Sequence, residues 1–171
     1  MRTVLSKIRS ARLSILKAQV AINDQSSYNV VELLQEALMA EFQQWDLYYA
    51  YKSEIKGLSR DPVIEHFEEH AADEASHIDT LQRYLVSMGE VPTKTRHPIP
   101  TLESSNIEMI IALQLKHEIQ AIEKYKEILN ALGDTNNPLR IEIENILTKE
   151  QEHAHDLQLY IDKKADVKEL V

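Results

Sequence analysis

Six residues of this sequence can hold metal ions if a fold brings them together: Glu41, Glu74, His77, Glu118, Glu150 and His153. Glu74/His77 and Glu150/His153 each follow an E-x-x-H spacing, which on a helix places both side chains on nearly one face. Mixed carboxylate and imidazole ligands suit iron, manganese or zinc. Four glutamates and two histidines are enough for two divalent ions, whose charges offset those of the four carboxylates. A lone E-x-x-H says little. The information lies in where the glutamates sit.

Each interrupts an apolar stripe stepping by three and four residues, the spacing of helix-bundle core positions. The first stripe reads Leu34, Leu38, Glu41, Trp45, Tyr48, and the second Ile64, Phe67, Ala71, Glu74, Ile78, Leu81, Leu85, Met88. The third reads Ile111, Leu115, Glu118, Ile122, Tyr125, Leu129, Leu132, and the fourth Ile143, Leu147, Glu150, Ala154, Leu157, Ile161. Glu41, Glu74, Glu118 and Glu150 each lie 12 residues after an expected helix start, at Asn29, Pro62, Asn106 and Pro138. Twelve residues rise about 18 Å, near each helix midpoint, so the carboxylates meet at one level whichever way the helices run. No lysine or arginine lies on these stripes, and unpaired buried charges cost several kcal/mol each. Cations are the natural partners. Glu152/His155 offers a second E-x-x-H register, but its stripe of Asn145, Thr148 and Leu159 is mostly polar, so these two are expected to be solvated.

The helices needed to position the set have recognisable ends. Ser26 or Ser27 can cap the first, and Gly57 sits where a helix commonly stops. Asp61–Pro62 opens the second, which runs to Gly89. Ser105 and Glu108 form a capping box for the third, which ends at Gly133. Asn137–Pro138 opens the fourth, running to about Lys164. Short links join the first helix to the second and the third to the fourth, which forces antiparallel hairpins. Residues 90–104, with Pro92, Pro98 and Pro100, can span about 50 Å when extended, against about 40 Å for a 27-residue helix. The link can therefore cross the whole bundle and set the third helix parallel to the second.

Composition agrees with an all-α fold: three glycines, five prolines and no cysteine in 171 residues. Cysteine-based catalysis, disulfides and thiolate metal sites are thereby excluded. No apolar run approaches the roughly 18 residues of a membrane span, and no membrane association is expected. The net charge of −9 argues against general nucleic-acid binding. Residues 1–23 differ, carrying five basic and no acidic side chains on an amphipathic pattern. The expected organisation is a basic helical extension over 1–25, a four-helix bundle over 26–165 and a short tail over 166–171. The extension also has the Arg- and Ser-containing, acid-poor character of an organelle transit peptide. A cytoplasmic location is the expectation otherwise.

The halves repeat: 33 residues separate Glu41 from Glu74 and 32 separate Glu118 from Glu150, with Tyr48 and Tyr125 each seven after the leading glutamate. Both tyrosines should sit beside the metals, either as hydrogen-bond or one-electron donors or as aromatic core.

From these stretches, around Glu41, EEHAADEASHID, HEIQAIEKYKEIL and KEQEHAHDL, residues 28–163 resemble the ferritin-like superfamily, and bacterioferritin-type proteins within it. The resemblance implies a ferritin-like four-helix bundle with a long crossover between its second and third helices. It also implies two iron ions per chain on the six named residues, with manganese or zinc as alternatives. Glu74 and Glu150 would bridge, and Glu41 and Glu118 would be terminal. Tyr48 matches a tyrosine near the bacterioferritin site. Ala75 stands where bacterioferritins carry their haem methionine, so haem is not expected. Asp73 is a candidate to orient His77, while His66, His70, His97 and His117 read as surface residues. The implied reaction is oxidation of Fe2+ to Fe3+ by O2 or H2O2, for iron storage or detoxification, in a homo-oligomer. Two alternatives stay open: a non-storing di-iron or di-manganese oxidase or peroxidase, and a structural or DNA-associating bundle stabilised by metal.

Overall fold

A computed structural model describes residues 24–57, 60–102, 106–134 and 137–168. Among these residues there are four helices and no strand: α1 (Asp24–Lys52), α2 (Arg60–Ser87), α3 (Ile107–Leu132) and α4 (Pro138–Lys168). The expected all-α four-helix bundle is what forms. The basic segment expected as an extra helix over 1–25 lies outside the described residues apart from Asp24 and Gln25, which open α1. None of the described helices is long and apolar enough to cross a membrane.

α1 packs on α2 and α3 on α4 as hairpins, α1 also packs against α3, and α2 meets α4 more lightly. The crossover between α2 and α3 is extended and runs along α1. Gln35 donates to the Val91 carbonyl at 2.9 Å and accepts from the Thr93 amide at 2.8 Å. Arg96 then pairs with Asp46 at 2.7 Å, Gln43 donates to the Pro98 carbonyl at 2.6 Å, and the Tyr51 hydroxyl donates to Pro100. These contacts ascend both segments together, so the crossover travels parallel to α1 and delivers α3 parallel to α2. That is the ferritin-like connection.

Several helix ends differ from expectation. α1 is already helical at Asp24, so Ser26 and Ser27 lie inside it; serine favours caps but does not break a helix. It stops at Lys52, ahead of Gly57, and the turn that follows places Ile55 in the core at 1% exposure. α2 starts at Arg60, leaving Asp61 and Pro62 in its first turn, where proline is tolerated. α3 is capped by Asn106, whose side chain accepts from the Glu108 amide at 2.7 Å; Ser105 lies outside the described residues. Asn137 does the same for α4, accepting from the Leu139 amide at 3.0 Å. At Gly89 (φ 90) the Glu90 amide reaches back to the Leu85 carbonyl at 3.0 Å, a Schellman end that needs glycine's left-handed conformation.

The apolar core falls into two clusters. One gathers Leu34, Leu38, Leu81, Leu85, Tyr125, Ile128, Ile143 and Ile146, the other Leu47, Tyr48, Ile55, Phe67, Ile110, Ile111 and Leu157. The buried stripes are rotated slightly from the expected ones. Leu47 replaces Trp45 in α1, Ile110 and Ile128 displace Leu115 and Leu129 in α3, and Ile146 displaces Leu147 in α4. His70 and His77 of α2 and His153 of α4 are buried in this core, at 3%, 5% and 3% exposure. Leu81, with no exposed surface, should cost about 2–5 kcal/mol when replaced by alanine. Val86→Ser, at a position 62% exposed, should cost under about 0.5 kcal/mol. Urea denaturation of the metal-free chain measures both.

Candidate metal centre

Between the two apolar clusters the four helix midpoints present polar side chains to one another. Glu41 comes from α1, Glu74 and His77 from α2, Glu118 from α3, and Glu150 and His153 from α4. None is more than 5% exposed, and Glu74, Glu118 and Glu150 have no exposed surface at all. The structure thus brings all six predicted residues together. Glu152 and His155 lie on the solvent side, as expected.

The donors form two overlapping groups, each with its ligand atoms within 4.8 Å of one another: Glu41, Glu74, His77, Glu150, and Glu74, Glu118, Glu150, His153. Glu74 and Glu150 belong to both. His77 Nδ1 lies 3.3 Å from Glu41, 3.4 Å from Glu74 and 2.9 Å from Glu150. His153 Nδ1 lies 3.5 Å from Glu74 and 3.8 Å from Glu118. Two ligands about 2.0–2.2 Å from one ion, at angles between octahedral and tetrahedral, are about 2.8–3.6 Å apart. Most of these separations fall in that range.

The hydrogen bonds separate the two kinds of glutamate. Tyr125 donates to Glu41 Oε1, and Tyr48 and Gln44 donate to Glu118 Oε1, the latter at 2.7 Å. The remaining oxygens, Glu41 Oε2 and Glu118 Oε2, have no hydrogen-bond partner among the described residues. Neither does either oxygen of Glu74 or Glu150, nor Nδ1 of His77 or His153. So the two shared glutamates offer two free oxygens each, the unshared ones a single free oxygen, and each histidine one nitrogen. Buried polar atoms without partners are rare. Two divalent cations fit this pattern of donors.

The tyrosines cross between halves. Tyr48 shares α1 with Glu41 yet donates to Glu118, and Tyr125 shares α3 with Glu118 yet donates to Glu41. Burial, then the charge of Glu118 on Tyr48 and of Glu41 on Tyr125, holds both phenols well above the ordinary value. They remain protonated donors.

Four neighbours were read differently from sequence or missed. His70, read as a surface residue, is 3% exposed, bonds the Tyr48 hydroxyl through Nδ1 at 2.9 Å and stacks on His153 at 3.9 Å between ring centres. Burial, then His153, lowers its pKa to about 3, so its ring is neutral. Its signal was a position four residues before Glu74, hence the same helix face. Asp73, expected to orient His77, instead meets His153 Nε2 at 3.2 Å, because that residue points across to α4. Gln44 and Gln114, both buried and 3.4 Å apart, were missed; their spacing of three and four from Glu41 and Glu118 was the available clue. A cavity of about 660 Å³ reaches Glu41 and Glu74 from the surface, past Glu36, His97, His117, Glu123 and Glu127.

The model of the ferritin-like domain family matches residues 31–166. Comparison with curated protein sequences finds no match. Among solved structures, the chain is similar to a bacterioferritin-related dodecameric thioferritin from Bacteroides fragilis. The identity is 23%, the TM-score 0.79, and the match covers 94% of this chain and 97% of that one. A ferritin-like, diiron-carboxylate protein from Bacillus anthracis is 19% identical with a TM-score of 0.75, covering 81% of this chain and 99% of that one. A Dps1 mutant from Mycobacterium smegmatis is 14% identical with a TM-score of 0.72, again covering 81% and 99%.

The metal-free core must hold protons instead of cations. Burial, then the charge of Glu41, pushes the Glu74 carboxyl well up, and burial with Glu74 does the same to Glu150. The folded chain keeps these protons where the unfolded chain releases them, so stability falls as pH rises beyond the ordinary value of 4.5. His77 and His153 are raised as well, because contacts with Glu150 and Glu118 respectively outweigh burial. Their contribution is complete below 6.5 and lost as pH climbs. Glu118, where burial is outweighed by His153 and Glu150, is held at about 2 and acts oppositely, losing its contribution as pH falls from 4.5 towards that value. Metal-free stability should therefore peak in mildly acidic solution and decline by about pH 8, read by thermal denaturation in chelator. Glu74→Gln should raise the metal-free midpoint near neutral pH, each 1 kcal/mol gained giving about 2–4 °C, while weakening metal binding.

Proposed function

This chain belongs to the ferritin-like domain family, and from that premise we propose that it binds two iron ions in its core and oxidises Fe2+ to Fe3+ with O2 or H2O2. The reading assigns this chemistry to iron storage or detoxification. The observation that carries it is the distribution of unpartnered donor atoms: two on each shared glutamate, and one each on Glu41, Glu118, His77 and His153. In this reading Glu74 and Glu150 serve both ions, Glu41 and His77 complete one, and Glu118 and His153 complete the other. Two ferrous ions held by these residues would supply two electrons as both become ferric, and with two protons from solvent would reduce O2 to H2O2 or H2O2 to water.

The protein's own groups then have definite tasks. Tyr125 and Tyr48 hold the outer oxygens of Glu41 and Glu118, which fixes the oxygens left for metal. Gln44 adds a second donor to Glu118 at 2.7 Å. Asp73 engages Nε2 of His153 at 3.2 Å and leaves Nδ1 to face the core, the usual way a carboxylate orients a metal-binding imidazole. The carboxylates of Glu36, Glu123 and Glu127 line the cavity that leads to Glu41 and Glu74, and favour entry of cations. Assembly into a homo-oligomer is part of the proposal, supported by the dodecameric state named for the Bacteroides fragilis relative.

Fe2+ added stepwise to the metal-free chain in air, followed by near-ultraviolet absorbance, tests the reaction. Protein-dependent oxidation is expected. Glu74→Ala, which removes a ligand of both ions, should slow it by more than about tenfold, and Tyr48→Phe by about tenfold through loss of the Glu118 anchor. His155→Ala, on the solvent face, should leave it unchanged. Oxidation that stops at two irons per chain points to a non-storing oxidase, and iron kept soluble far beyond that to storage. No protein-dependent oxidation, or full activity in Glu74→Ala, contradicts the proposal.

A further inference from the structure

A second set of donors lies beside the six core residues and adjoins them through His70, which also forms a group with Glu118 and His153. His66, His70 and Asp156 each bring one donor atom within 4.8 Å of the others. We propose that His66 and His70 of α2 and Asp156 of α4 form a mononuclear site for a divalent transition metal, adjacent to the dinuclear core and open to solvent.

His66 Nε2 is buried with no hydrogen-bond partner among the described residues and faces Asp156 Oδ2 at 3.5 Å. That separation is long for a hydrogen bond, yet it matches two ligands of a single ion, each about 2.0–2.2 Å from the metal. The other ring nitrogen of His66, Nδ1, faces Glu69 Oε2, also at 3.5 Å. At that distance Glu69 places negative charge beside the ring without a hydrogen bond to it.

His70 is constrained. Its Nδ1 is engaged by the Tyr48 hydroxyl at 2.9 Å, and its ring lies between those of His66 and His153, at 4.3 Å and 3.9 Å. Two imidazoles and one carboxylate leave coordination positions for water. A surface cavity of about 230 Å³ lined by His66, Asp156, Leu159 and Tyr160 provides the space. The carboxylates of Glu69 and Asp156 make this mouth attractive to a cation. The set suits borderline divalent ions such as zinc, cobalt or ferrous iron over calcium or magnesium. Through Tyr48, which bonds both His70 and Glu118, this outer site adjoins the core.

The full chain, freed of metal and dialysed against Zn2+, tests the site directly. His66→Ala/Asp156→Asn should bind one zinc ion fewer per chain than the natural sequence. Both side chains are partly exposed, at 21% and 41%, so the core should be retained. Asp156→Asn alone should weaken the outermost zinc by at least about tenfold. Crystals soaked in Zn2+ should show an anomalous peak bonded to His66, His70 and Asp156. Identical stoichiometry in the double variant, or zinc found only among the six core residues, overturns the site and leaves His66–Asp156 as a plain side-chain contact. The outcome is independent of the dinuclear reading: if the core binds nothing, the natural chain still takes up one zinc ion and the double variant none.

Discussion

The bundle is arranged around the burial of four carboxylates and two imidazoles in a core where, among the described residues, no buried lysine or arginine matches them. Glu74, Glu118 and Glu150 have no exposed surface, and several kcal/mol per isolated charge is a heavy penalty. Protons relieve it when metal is absent, on Glu74, Glu150 and His77 above all. Cations would relieve it better, because a single ion can take lone pairs from several carboxylates at once. Metal binding there would therefore release protons, and the contacts that suit these residues to cations are the ones that raise the cost of burying them.

The rest of the fold makes that burial tolerable. An apolar cluster lies on either side of the polar level, with Tyr125 on one side and Tyr48 on the other. Each tyrosine is packed as a core aromatic and spends its hydroxyl on a glutamate from the opposite half. This exchange ties α1 to α3, the contact that the two hairpins alone do not provide. The crossover strengthens the same pairing from outside, by hydrogen bonds ascending α1 from Gln35 to Tyr51. The α1–α3 pair thus anchors the outer glutamates, while α2 and α4 bring the two shared glutamates and both histidines.

Much of this was legible in the residues alone. A glutamate inside an otherwise apolar three-four stripe is conspicuous, and four at equal depth locate the site and the fold together. The E-x-x-H spacing chose His77 and His153, and the polar alternative stripe set aside Glu152 and His155. What spacing along one helix cannot reveal is which helix lies opposite. Hence the destination of Tyr48 and Tyr125, the partner of Asp73 and the sharing of Glu74 and Glu150 between groups appear only in three dimensions. His70 was misread for a related reason: neighbours such as Glu68 and Glu69 made its segment look solvated, although its own position faces α4. The helix starts shifted because serine, aspartate and proline are all compatible with a first turn, and a favourable cap is not a compulsory one.

The most direct test is crystallographic. Crystals loaded anaerobically with Fe2+ and measured at the iron absorption edge should show two anomalous peaks in the core. Each should be bonded to both Glu74 and Glu150, one additionally to Glu41 and His77, the other to Glu118 and His153. A core without iron, or a single ion that leaves one histidine unbound, would contradict the dinuclear centre on which this account rests.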